Sequence, residues 1–133
     1  MILLDTHALL WWVSDPKRVP AKATRLIDAA VRAGEQIAVS SISIWEVAML
    51  VERGRLTLNV ATDVWVRRVE ALPFLAFAPV DNRVVLRSVQ LDGFPNRDRA
   101  DRMIAATAIE LGATLVTADA RLLSYEPVKT VWS

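Results

Sequence analysis

Acidic residues occur at four separated places where an apolar run gives way to a more polar one. Asp5 closes the run Met1-Ile-Leu-Leu and is followed by Thr6 and His7. Ser40, Ser41 and Ser43 follow the apolar run at Ile37, and Glu46 lies one turn further on. Asp98 and Asp101 are three residues apart, a spacing that puts both on one face of a helix. Asp119 comes directly after Thr114-Leu-Val-Thr117. Each acid has a structural explanation on its own. Asp5 and Asp119 suit helix N-caps, Ser43 with Glu46 matches the S-x-x-E capping box, and Asp98 and Asp101 suit a first helical turn. Taken together they point to chemistry, because carboxylates converging at one rim repel each other unless a cation compensates. The available donors select that cation. There is no cysteine and a single histidine, His7, so the ligands are oxygens, which suit Mg²⁺ or Mn²⁺. Such ions activate water against phosphodiesters without a nucleophilic side chain.

The elements that must position these acids are legible in the periodicity. Short apolar runs at Met1–Asp5, Ile37–Ser40, Leu75–Pro79, Thr114–Thr117 and Val128–Val131 read as strands buried on both faces. Helical patterns lie between them at about 21–33, 43–53, 60–72, 82–91 and 99–111, and a further helix begins at Thr6. Gly34, Gly54, Gly93 and Gly112 follow four of these stretches, where a left-handed C-cap favours glycine. Strands alternating with long helices predict an α/β three-layer domain with a parallel sheet. In such folds sites form beyond the carboxyl ends of the strands, which is where the acids fall.

The 133 residues fit a single domain, 1–133, and the apolar fraction of 53% excludes a disordered chain. The first apolar run carries Asp5 and lacks a basic leader, and no apolar stretch is long enough to span a bilayer, so a cytoplasmic, membrane-free protein is expected. The formal charge is only +1, yet thirteen of the sixteen basic residues are arginines, whose planar fork suits phosphate.

Three segments carry a family resemblance: Leu3-Leu-Asp-Thr-His-Ala-Leu-Leu-Trp-Trp12, Ser41-Ile-Ser-Ile-Trp-Glu-Val-Ala48 and Asp98-Arg-Ala-Asp-Arg-Met-Ile-Ala-Ala-Thr-Ala108. With Leu115-Val-Thr-Ala-Asp-Ala-Arg-Leu122 and Val131-Trp132, they resemble the PIN-domain ribonucleases, in particular the toxins of VapBC-type toxin–antitoxin modules. The resemblance runs the length of the chain. It implies a parallel sheet of four to five strands between helices, and an endoribonuclease dependent on Mg²⁺ or Mn²⁺. The family's acidic quartet falls on Asp5, Glu46, Asp101 and Asp119, with Asp98 as an outer or auxiliary metal ligand. Thr6 and Thr117 are expected to orient a carboxylate or bound water, or to contact substrate. The resemblance also implies an RNA substrate, a homodimer, and an antitoxin whose tail covers the acidic groove. Where the family commonly reads D-P-F-D-R, this chain has Asp98-Arg-Ala-Asp-Arg102, so Arg99 adds a positive charge beside the groove.

Other residues carry narrower expectations. Arg97, Arg99, Arg102 and Arg121 lie near the acids and are candidates for RNA phosphates, with Arg102 alternatively pairing with Asp98. Trp45 is expected in the core, whereas Trp11, Trp12 and Trp65 fall in amphipathic stretches and one of the first two should reach a surface. A general-base role for His7 is disfavoured, since activated water needs none. Two alternatives stand beside the toxin reading: a PIN-type RNA-processing nuclease without an antitoxin, and a catalytically silent protein- or RNA-binding module that keeps its acids as caps.

Overall fold

The computed structural model describes all residues, Met1–Ser133. Five strands form one sheet: β1 (Ile2–Leu4), β2 (Ile37–Ser40), β3 (Leu75–Ala78), β4 (Thr114–Val116) and β5 (Thr130–Val131). Their order is β3-β2-β1-β4-β5 and every pairing is parallel. The strand runs read from the sequence are all present, β2 with the same bounds and the other four trimmed, but β3 and β5, at the sheet edges, are mostly half-buried and not buried on both faces as expected. β1 is central, with Leu3 opposite Ala38 on one side and Leu115 on the other. The chain winds outward from β1 through β2 to β3, then crosses back to β4 and β5. That reversal creates a topological switch point at the carboxyl end of β1.

Seven helices cover the sheet: α1 (Thr6–Ser14), α2 (Ala21–Arg32), α3 (Ser41–Glu52), α4 (Thr62–Glu70), α5 (Asn82–Val89), α6 (Arg99–Leu111) and α7 (Ala120–Leu123). The strand period of two separates two cores. Ile2, Leu4, Ile37, Val39 and Val116 face a cluster built with Leu9, Ile27, Val47, Trp65 and Val69. Leu3, Ala38 and Leu115 face the opposite cluster, with Ile104, Ala105, Ala108, Leu122 and Tyr125. This is the α/β three-layer architecture. α2 buries Ala23, Ile27 and Ala30, one face of a helix, while Lys22, Arg25 and Asp28 point outward. α6 runs from Asp98, whose carboxylate caps it, to Gly112 at φ 62°, a left-handed stop that a side chain would strain.

Tryptophans depart from expectation in both directions. Trp65 is buried, its indole N–H without a partner, whereas Trp45 is 54% exposed on the outer face of α3. Ser43 and Val47 are the buried residues of α3, with Ile42 and Ile44 half-buried on either side, and Trp45 falls on the opposite side of that helix. Trp11 and Trp12 are both half-buried. Trp11 packs against His7 and Trp132 beneath the Arg18 guanidinium, and Trp12 meets Phe74 edge-on. No helix is long and apolar enough to cross a membrane.

Candidate active site

The switch point gathers three acids. One carboxylate oxygen from each of Asp5, Glu46 and Asp101 lies within 4.8 Å of the other two. Each arrives from a different element: Asp5 ends β1, Glu46 projects from α3, and Asp101 sits in the first turn of α6. They line a cavity of about 430 Å³ together with His7, Trp11, Asp98, Ala118, Asp119 and Arg121.

Asp5 is 6% exposed and combines two functions. Its Oδ1 accepts the Thr6 backbone N–H at 2.8 Å, capping α1, and its Oδ2 accepts the Thr117 hydroxyl at 2.7 Å. The Thr117 hydroxyl in turn accepts the Asp119 backbone N–H at 3.1 Å. Both oxygens of Asp5 are therefore fixed in direction. Burial drives its pKa up, against the Thr117 and Thr6 hydrogen bonds and the nearby His7, while the Asp119 charge adds to the rise.

Glu46 is held by Thr6, whose Oγ1 donates to Glu46 Oε1 at 2.5 Å and lies 2.9 Å from Ser43 Oγ. A hydroxyl has one proton to give. The charge-assisted bond to Glu46 takes it, so Ser43 donates to Thr6. Ser43 is thus fully buried in a Ser43–Thr6–Glu46 relay and does not form the capping box. The cap of α3 is Ser40, which accepts the Ile42 N–H at 3.2 Å. Burial pushes the Glu46 carboxyl up to about 7, with the Thr6 hydrogen bond opposing and the Asp5 and Asp98 charges assisting.

Asp101 is 9% exposed and is also pushed up to about 7, first by burial and then by the charges of Asp98, Asp5, Glu46 and Asp119. Its Oδ2 accepts the Asn96 side-chain N–H at 3.1 Å, and Asn96 Oδ1 accepts the Asp98 backbone N–H at 2.8 Å. Sequence reading missed Asn96. Its signal was weak: one amide two residues ahead of a helix cap.

Asp98 and Asp119 line the same cavity outside the close trio. Asp98 caps α6 through the N–H groups of Ala100 and Asp101 at 2.9 and 3.2 Å. Asp119 caps α7 through the Arg121 N–H at 2.8 Å and pairs with the Arg121 guanidinium at 3.3 Å. Some burial raises the Asp119 pKa, but the Arg121 side-chain and backbone hydrogen bonds and charge outweigh it, and the net shift is downward.

Four further candidates resolve differently. Thr6 and Thr117 are buried at 1% and 0%, and their hydroxyls are committed to the carboxylates of Glu46 and Asp5. Arg102 faces away from the groove. Its Nε donates to Ser88 O at 2.9 Å, its Nη2 to Leu91 O at 3.4 Å, and it lies over the Phe94 ring. The carbonyls at the end of α5 outcompete Asp98, which is already occupied as a cap. Arg99 is exposed beside Asp98, on the outer side of the groove.

The donor set fits a hard divalent cation. It is all carboxylate oxygen, it is half-buried to buried, and two of its members resist ionisation at neutral pH until positive charge arrives.

The chain is also similar to known proteins. Residues 2–126 match the family model described as PIN domain. The chain is 38% identical to Ribonuclease VapC22 of Mycobacterium tuberculosis over 136 residues, covering 98% of each. Among solved structures, FitAcB from Neisseria gonorrhoeae superposes with a TM-score of 0.66 at 26% identity, over 98% of this chain and 96% of that one. VapBC2 from Rickettsia felis, bound to a DNA fragment from its promoter, gives 0.73 at 18% identity over the whole of both chains, a likeness of fold alone.

Proposed function

Because this chain belongs to the PIN domain family, we propose that it is a metal-dependent endoribonuclease, the toxin of a type II toxin–antitoxin pair, acting as one PIN-like domain over residues 1–133. The observation that carries this reading is the convergence of Asp5, Glu46 and Asp101 within 4.8 Å at the switch point of a parallel sheet. The 38% identity to a protein named Ribonuclease VapC22 supports RNA as the substrate. Similarity to FitAcB and the VapBC complexes supports an antitoxin partner, and the family resemblance a homodimer. An RNA substrate puts the activity in the cytoplasm.

In this reading Asp5, Glu46 and Asp101 hold Mg²⁺ or Mn²⁺, with Asp119 and Asp98 as the outer acids. When bound, such an ion lowers the pKa of a water and neutralises charge at the scissile phosphate. The chain's own residues prepare for that event. Thr117 and the Thr6 N–H aim both oxygens of Asp5, Thr6 aims Glu46, and Asn96 aims Asp101. Glu46 and Asp101, with carboxyls near 7, each hold a proton for part of the time at neutral pH and release it as positive charge enters. Asp119, kept anionic by Arg121, supplies a permanent negative charge at the rim.

The test is RNA cleavage by the purified chain with Mg²⁺, with Mn²⁺ and with EDTA, beside an Asp101→Asn variant. Metal-dependent cleavage that the variant lacks is expected. A folded wild type that cuts nothing, or a variant that cuts equally well, would return the acids to capping roles.

A further inference from the structure

A second cleft opens from the acidic cavity across Glu46 and Asp98, which line both. Its volume is about 540 Å³, and it lies between the outer face of α3, the turn after α3 and the start of α6. Four arginines line it: Arg53, Arg55, Arg97 and Arg99. All four are exposed, and none makes a side-chain hydrogen bond or an ion pair. The other basic side chains near the acids are committed, Arg121 to Asp119 and Arg102 to carbonyls. Trp45 also lines the cleft, and it is the one aromatic among the exposed large apolar side chains.

We propose that this cleft is a subsite for single-stranded RNA, in which Trp45 stacks a base and Arg53, Arg55, Arg97 and Arg99 hold the phosphates flanking the one delivered to the acids. The proposal rests on the ribonuclease reading and gives it a substrate path. Unpaired guanidiniums gathered in one cleft repel each other, and a polyanion relieves that repulsion. Desolvating four of them against an apolar protein face would instead be costly. An exposed indole beside a basic track is the arrangement that binds single strands with little sequence preference, because every base has a π-face. The path also answers an electrostatic difficulty. A phosphate chain approaching five carboxylates needs positive charge alongside, and the cleft adjoining Glu46 and Asp98 supplies it.

The test measures binding apart from cleavage. In an Asp101→Asn background, fluorescence anisotropy with a short labelled single-stranded RNA of mixed sequence reports Kd over a range of salt. Trp45→Ala is expected to weaken binding by about five- to a hundredfold, with Trp45→Phe in between. Arg97→Ala with Arg99→Ala should reduce the slope of log Kd against log salt by about 1.4, whereas Trp45→Ala leaves it unchanged. Circular dichroism confirms folding, and light scattering reports oligomeric state. Unchanged RNA affinity in Trp45→Ala overturns the proposal. If that variant also loses self-association, the surface is a seam between copies. Wild-type chain that binds RNA through Trp45 but cuts nothing would sink the nuclease reading and leave the subsite standing.

Discussion

Asp98 and Asp101 sit three residues apart in one helical turn, and their carboxylates do opposite work. Asp98 is exposed and turned back onto its own helix, where two backbone N–H groups satisfy it. Asp101 is buried, receives one amide N–H from Asn96, and faces other acids. The contrast extends to the whole rim. Asp119, partnered by Arg121, is stabilised as an anion, whereas Asp5, Glu46 and Asp101 are driven towards their neutral forms. A capped acid strengthens the fold as it stands. A crowded acid weakens the fold until a cation arrives, and that stored repulsion becomes binding free energy.

Replacing a crowded acid should have the largest effect. Asp101→Asn is expected to lower metal-dependent cleavage at least about a thousandfold, by removing several kcal/mol of charge stabilisation from the transition state. The same variant should melt higher than wild type in EDTA, since one source of repulsion is gone. Wild type, unlike the variant, should gain thermal stability on adding Mg²⁺. Next in size is the hydroxyl that aims Asp5. Thr117→Val keeps the volume and removes the donor, and a loss of about 10- to 100-fold in activity or metal affinity is expected, read by titration with Mn²⁺.

The pH dependence separates the two groups by sign. In EDTA, the folded state binds more protons than the unfolded one between about pH 4 and pH 7, because Glu46 and Asp101 titrate near 7 when folded and near their ordinary values when unfolded. Their contribution to stability therefore falls as pH rises through that window. Asp119 contributes the other way: its lowered pKa adds stability at neutral pH that disappears in acid. Melting scans of the metal-free chain should show several degrees lost from pH 5 to pH 8, flattened in an Asp101→Asn, Glu46→Gln double variant. A steeper loss in that variant would assign the pH dependence elsewhere. The smallest effect belongs to the cap. Asp98→Ala should cost about 1 kcal/mol of stability, while Asp98→Ser retains the cap and most of the activity.

The fold was legible because its signals are local. Runs of four or five residues, apolar in all but the last run, marked all five strands, and Gly34, Gly54 and Gly112 marked the ends of α2, α3 and α6, whereas α5 stops at Val89, short of Gly93. The three acids of the trio were legible because Asp5 ends a strand, Asp101 lies in the first turn of a helix and Glu46 one turn into another, all at the same sheet edge. What escaped depended on partners distant in sequence. Ser43 satisfies a four-residue capping pattern, yet its hydroxyl meets Thr6, 37 residues away. Arg102 has Asp98 at helical spacing, but the free carbonyls at the end of α5 hold it. Trp45 follows three apolar or small residues and reads as core, although the phase of α3 turns it outward. Periodicity tells which residues share a face; it does not tell which face another helix covers.

The order of the strands has a consequence in time. β1 precedes the other four strands in sequence and is the centre of the sheet, but its partner β4 spans Thr114–Val116, and the bond that aims Asp5 joins residues 112 apart. A ribosome releasing the chain from its N-terminus presents the central strand long before the neighbour that completes it. Asp5 can be set in place only after Thr117 has emerged, so a partly translated chain carries the acids without the site. For a protein whose activity would be directed at RNA, the topology itself delays that activity until β4 and Thr117 have been made.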